Sequence, residues 1–246
     1  MTVGLRAAWR LARGVLHILH GLAVVLLRFG TLDPAGREAR VRWFSARMLH
    51  VLGIAIEVEG VARADGVLLV ANHVSWLDIN ALHAVVPRAR FVSKADIQGW
   101  PLLSRLADAG GTLYLERERK RDALRVVHLV AEALAAGQAV AVFPEGTTAD
   151  GRTLLPFHAN LLQAAIATAT PVQPVAIRFS DAGGPVSPAV EFVGATTLLQ
   201  SLWRVACAER LVAHVTLLPA RASAHAERRA LVQTLRDDIA AALEAC

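Results

Sequence analysis

Cysteine is scarce: Cys207 and Cys246 are the only two in 246 residues, too few for a disulfide framework or a zinc knuckle. Both fit a reducing compartment. Lysine is rarer than the charge suggests, with Lys94 and Lys120 the only two among 26 basic residues, so the formal charge of +5 rests on arginine. Guanidinium forks match paired oxygens and point to phosphate or anionic lipid, although a biased genome composition gives the same count. No zinc-finger spacing occurs, and the single basic run, residues 117–121, is broken by Glu118. Those absences argue against a nucleic-acid partner. No repeat or low-complexity segment stands out. No apolar run reaches the roughly 20 residues of a membrane span, which excludes a multi-pass carrier.

The chain is nonetheless 54% hydrophobic, high for a protein living wholly in water. Much of that sits at the start. Residues 14–27 are apolar except for His17 and His20, with Arg6, Arg10 and Arg13 before them and Arg28 after. Arginines beside such a run can snorkel to headgroups, which predicts an interfacial helix more readily than a span or a buried helix. No small-x-small site follows the run, as a secretory signal would require. Thr31, Asp33, Pro34 and Gly36 form a turn or helix start. Residues 40–52 then read as a second helix carrying Trp43, Phe44, Arg47 and Met48. Two readings are open: a helical hairpin lying on a membrane, or two helices packed on the domain.

From Ile54 the hydrophobic period changes. Strand signals occur at 54–58, 67–70, 90–92, 112–115, 139–143, 172–179, 190–193 and 214–218, with helical patterns at 77–85, 121–136, 157–168 and 226–243. This alternation predicts an α/β fold, a mixed central sheet flanked by helices and preceded by an amphipathic two-helix membrane-binding segment. The expected division is residues 1–53 for the hairpin and 54–246 for the catalytic domain.

Four segments carry candidate chemistry. Asn72-His73-Val74-Ser75-Trp76-Leu77-Asp78 follows the apolar strand 67–70. A histidine at a strand end has the proton affinity of a general base. Asp78, five residues on, can swing back to Nδ1 if the helix starts near Ser75 or Trp76, leaving Nε2 for substrate. Equally, Asn72 or Ser75 could cap a helix with His73 an ordinary turn residue. No serine or cysteine completes a convincing nucleophilic triad, so direct activation of a substrate hydroxyl is simpler than a covalent intermediate. Arg117, after Tyr114 and Leu115, could clamp a phosphate or be a solvated strand-end charge. Phe143-Pro144-Glu145-Gly146-Thr147-Thr148 follows another apolar strand. There Glu145 offers an acceptor to a polyol hydroxyl, Gly146 permits positive φ, and Thr147 and Thr148 can donate to phosphate; a plain turn would use the same residues. Pro174, in Val172-Gln173-Pro174-Val175, suggests an edge strand lining a pocket.

Taken together these segments resemble the lysophosphatidic acid acyltransferase family, the 1-acylglycerol-3-phosphate acyltransferases of the wider glycerolipid acyltransferase group. His73 and Asp78 match HxxxxD in an NHxSxxD frame, Gly111, Tyr114 and Arg117 the second block, Phe143 to Thr147 the FPEGT block, and Pro174 the fourth. The resemblance spans residues 54–179. It implies His73 as base, Asp78 as its orienting partner, and Arg117, Glu145, Gly146, Thr147, Lys94 and Pro174 on the substrate side. It implies transfer of a fatty acyl group from acyl-CoA or acyl-acyl carrier protein to a lysophospholipid acceptor, with no cofactor or metal, at a membrane surface on the cytoplasmic face of the inner membrane. Thr148 departs from the arginine or serine that many members carry there. His158, Ala159 and Asn160 stand where many have a basic FKxG pattern. These departures remove positive donors and raise lyso-ornithine lipid or another lysolipid as a rival acceptor; a catalytically silent membrane-binding protein is the remaining alternative.

Overall fold

The computed structural model describes residues 2–94, 99, 101–115 and 120–245. Seven strands form one sheet in the order β1 (Ile54–Gly60), β7 (Leu211–Leu217), β6 (Val172–Ser180), β2 (Val67–Ala71), β5 (Ala139–Val142), β3 (Arg90–Lys94), β4 (Leu113–Leu115). From β6 to β4 all neighbours run parallel; β7 is antiparallel to β6, and β1 lies parallel to β7. The sequence follows this arrangement. Val-Leu-Leu-Val-Ala of β2 and Ala-Val-Ala-Val of β5 are buried throughout, as central parallel strands covered on both faces must be. In β7 burial alternates residue by residue, so one of its faces is more open.

Helices cover both faces. On one, α2 (Pro34–Leu52), α3 (Leu77–Val85) and α7 (Leu198–Cys207) pack Leu49, Leu52, Leu77, Leu82 and Val205 against Leu69 and Ile177. On the other, α5 (Lys120–Ala135), α6 (Leu162–Ala167) and α8 (Arg228–Ala245) set Val130, Leu162, Leu235 and Ile239 against Leu68 and Val142. Burying each such side chain contributes about 1.5–3 kcal/mol, so these two layers carry much of the fold. The amphipathic tail predicted from Leu231, Leu235 and Ile239 is α8, with those three residues buried.

The N-terminal residues form α1 (Val3–Leu27) and α2. Asp33 caps α2 by accepting from the Gly36 N–H at 2.8 Å, and Pro34 opens its first turn. The last turns of α2 belong to the sheet's own core, while α1 lies against α2, α4 (Pro101–Ala109) and α7.

Three expectations change. Residues 190–193 form no strand: Val190 is buried in the core, but the segment belongs to the loop before α7. The helix expected over 157–168 contracts to α6 after a 3-10 turn at Ala159–Leu161. Pro174 lies in the interior strand β6, opposite Val70, not on an edge. The missing N–H is accommodated locally, because Leu218 N–H donates to the Pro174 carbonyl while the Leu218 carbonyl accepts from Gln173 Nε2.

Asn72 fastens the end of β2 to β6. Its Nδ2 donates to the Ile177 carbonyl at 2.8 Å and its Oδ1 accepts the Ile177 N–H at 2.7 Å, all buried. Asn72→Ala strands both backbone groups, and a loss of about 2–4 kcal/mol is expected in urea unfolding.

Candidate active site

His73 leaves β2 at its carboxyl end, and the chain turns at once into α3, whose first turn carries Asp78. The turn brings the carboxylate back. Asp78 Oδ2 accepts from His73 Nδ1 at 2.7 Å and from the N–H groups of Val74 and Ser75 at 2.7 and 2.9 Å. Three donors on one oxygen fix both the side chain and the loop it faces. Asp78 is wholly buried, whereas the His73 side chain keeps 19% exposure. The imidazole is thus held from behind and open in front. Phe143 stacks on it at a ring separation of 4.0 Å and 10° between planes, and Phe91 stacks behind Phe143 at 5.7 Å. Ser75 Oγ is buried and, among the described residues, has no hydrogen-bond partner; the imidazole does not engage it. A serine nucleophile is therefore unsupported here.

The backbone of His73 is gripped by the segment after β5. Glu145 Oε1 accepts the His73 N–H at 2.7 Å, and Ala149 N–H donates to the His73 carbonyl at 2.8 Å. Glu145 Oε2 accepts from Leu155 N–H at 3.0 Å, and Arg236 of α8 donates to the Leu154 carbonyl at 2.9 Å. Burial pushes the Glu145 carboxyl above its ordinary range, opposed by the hydrogen bonds from His73 and Leu155 and by the nearby imidazole. Gly146 adopts φ +70 to turn the chain, and His158, an exposed side chain, packs beside it.

The acyltransferase family profile matches residues 55–178. The chain is 37% identical over 207 residues to a lyso-ornithine lipid O-acyltransferase of Pseudomonas aeruginosa, covering 84% of this chain and 79% of that one. It is 36% identical over 216 residues to a 1-acyl-sn-glycerol-3-phosphate acyltransferase of Neisseria meningitidis serogroup B, covering 86% and 82%. The chain belongs to the acyltransferase family. Its fold is that of the 1-acyl-sn-glycerophosphate (LPA) acyltransferase PlsC from Thermotoga maritima, with a TM-score of 0.70, 20% identity and 96% of each chain covered.

In this acyltransferase the sequence-derived blocks lie on or just after four adjacent parallel strands. His73 follows β2, Glu145 to Thr147 follow β5, Lys94 ends β3, and the block containing Tyr114 lies on β4. Carboxyl ends of parallel strands are where α/β sheets open their clefts. Arg117 lies outside the described residues, as does the side chain of Lys94. Thr147 is exposed at the turn, whereas Thr148 donates its hydroxyl to the Phe192 carbonyl. Pro174 is buried within β6, away from its carboxyl end. Glu145, expected on a polyol, instead has both oxygens on backbone N–H groups and is buried, so its geometry is that of a positioning residue. Sequence reasoning missed the Phe91 and Phe143 stack and the grip of residues 145–155 on His73. Phe143 lay in a recognised block; the backbone partners of Glu145 left no trace in residue type.

Two outcomes are expected. Asp78→Asn keeps the fold by circular dichroism but lowers kcat by roughly 10²–10⁴, because the amide no longer selects the Nδ1–H tautomer. The raised Glu145 pKa means the folded state holds that proton to higher pH than the unfolded chain does. Stability therefore declines as pH climbs from 4.5, the ordinary value, to the folded one. Urea midpoints measured across that window should flatten in Glu145→Gln.

Proposed function

We propose that this acyltransferase moves a fatty acyl group from an acyl thioester, of coenzyme A or acyl carrier protein, to the sn-2 hydroxyl of 1-acylglycerol-3-phosphate, giving phosphatidate. The observation that carries this reading is the 2.7 Å bond from His73 Nδ1 to a buried carboxylate. With Nδ1 so engaged, Nε2 accepts the acceptor hydroxyl proton as its oxygen attacks the thioester carbonyl. The carbon–sulfur bond then breaks, and the imidazolium returns the proton to the departing thiolate. Asp78 stabilises the imidazolium between these steps. Base catalysis of this kind supplies about 10²–10⁴-fold, and alignment with oxyanion stabilisation supplies the rest. Arg117, Lys94 and Thr147 are assigned to the acceptor headgroup, and Gly146 to close backbone approach. Pro174 shapes the strand behind them.

The reaction is assigned to a membrane surface, at the cytoplasmic face of the inner membrane. Residues 1–53 carry eight arginines against Asp33 and Glu38. Since the whole chain is +5, the basic excess lies entirely in these helices. The charge suits anionic lipid on the cytoplasmic side. The exposed positions of α1, among them Leu5, Trp9, Val15, Leu16 and Leu19, include no Asp, Glu, Lys or Arg; Arg13 lies at their edge over the Trp9 ring, while Arg6 and Arg10 turn inward to the body. That inversion of the usual polarity favours lipid contact. α1 is long and apolar enough to cross a bilayer, but its buried positions run from Ala7 to Leu22 along the body. It therefore reads as a helix lying in the interface. An apolar cavity of about 180 Å³ among α1 to α4, walled in part by Phe91, offers sheltered space for an acyl chain.

A second acceptor, lyso-ornithine lipid, is favoured by Thr148, whose hydroxyl is taken by Phe192, and by His158-Ala159-Asn160 in place of a basic segment. Purified enzyme given labelled acyl thioester and a panel of lysolipids decides between them. Label in phosphatidate supports the first reading, and label confined to the ornithine lipid replaces it. His73→Ala should abolish transfer to either acceptor while remaining folded; normal turnover would remove the base assignment. Arg117→Ala should raise KM for the phosphate-bearing acceptor with little change in kcat.

A further inference from the structure

The exposed apolar surface does not end with α1. Across the loop before it, α7 is held by a capping box, with Thr197 and Gln200 satisfying each other's backbone N–H. Its inner side buries Ser201, Val205 and Ala206. Its outer side presents Leu199 at 75% exposure and Trp203 at 47%. The only ionisable side chains of the helix are Arg204 and Cys207. Arg204 turns away, donating to the Glu191 carbonyl and to Thr196 Oγ1. A free-standing soluble helix would carry charge on such a face.

Two sets of contacts fix where this face lies. From α1, Arg6 donates to the Cys207 carbonyl at 3.2 Å, and Arg10 to the carbonyls of Ala206 and Ala208 at 3.0 and 2.7 Å. The arginines of α1 thereby satisfy the last carbonyls of α7 and hold the two helices against each other. From the active-site turn, Trp76 Nε1 donates to Ser201 Oγ at 3.1 Å. Thus α7 touches both the helix assigned to the interface and the residue three positions after His73.

We propose that α7 is a second membrane-contact helix, Leu199 and Trp203 entering the same anionic bilayer as α1. The catalytic body itself then docks, and the base is held at lipid depth from two sides. This inference rests on the interfacial assignment of α1. The occupant follows from the exposed apolar side chains of two touching helices, the basic excess of residues 1–53 that flanks them, and tryptophan at the rim, where an amphipathic ring suits the headgroup boundary.

The test uses the full chain and vesicles of phosphatidylethanolamine with phosphatidylglycerol, the lipids brominated for fluorescence. Leu199→Glu with Trp203→Glu should reduce vesicle co-sedimentation about tenfold or more, and lower transfer to lysolipid in vesicles while leaving kcat on detergent-dispersed lysolipid unchanged. As a milder readout, Trp203→Phe should remove part of the tryptophan quenching by brominated lipid, as Trp9→Phe should. Quenching lost with Trp9→Phe but unchanged by Trp203→Phe overturns the role of α7 and leaves α1 at the interface. Quenching unchanged in both, with co-sedimentation also unaffected by Leu16→Glu and Leu19→Glu, defeats the interfacial assignment itself.

Discussion

One carboxylate oxygen organises the candidate active site. Asp78 Oδ2 receives the imidazole and two successive backbone N–H groups, so ring orientation and loop conformation are set by the same atom. Burial makes the arrangement obligatory. A buried carboxylate oxygen needs donors, and the turn from β2 into α3 brings three of them to Oδ2. Glu145 does the complementary work on the main chain, linking His73 to the segment 145–155, which Arg236 of α8 in turn supports. The setting of His73 therefore depends on elements as far along the chain as the C-terminal helix α8.

Much of this is legible in the sequence. Strand and helix alternation after Ile54, the cap at Asp33, and the five-residue spacing from His73 to Asp78 each have a local physical cause that residue type reveals. What stayed hidden depends on partners distant in sequence. The alternation at 190–193 looked like a strand, yet no neighbouring strand pairs with it and Thr148 claims the Phe192 carbonyl instead. Pro174 suggested an edge because its ring cannot donate; a glutamine side chain at the adjacent position resolved that deficit inside the sheet. Helices α4 and α7 are short, and neither had been anticipated. Glu145 was read by its chemistry as a substrate ligand, whereas its burial and two backbone partners are properties only of the folded chain.

Of the two readings the sequence leaves open for the N-terminal helices, packing on the domain is present in the structure. α2 is core, as Leu49 and Leu52 demonstrate, and α1 packs on α2, α4 and α7 while exposing an apolar side. A cut at Gly53 would therefore test folding together with the proposed membrane contact. Removing α1 and α2 would uncover the sheet as well as take away the proposed lipid-contact face.

Gly53 shows how tightly α1 is keyed to that body. It ends α2 with φ +84, and a β-carbon there would come within 2.2 Å of the Arg10 guanidinium, which occupies the place a side chain would take. Arg10 is wedged between this corner and the tail of α7, so α1 cannot swing out as a leash. On the proposed interfacial placement of α1, such an enzyme would ride flat on the bilayer with His73 at constant height, and its acceptor would arrive by sliding sideways within the leaflet.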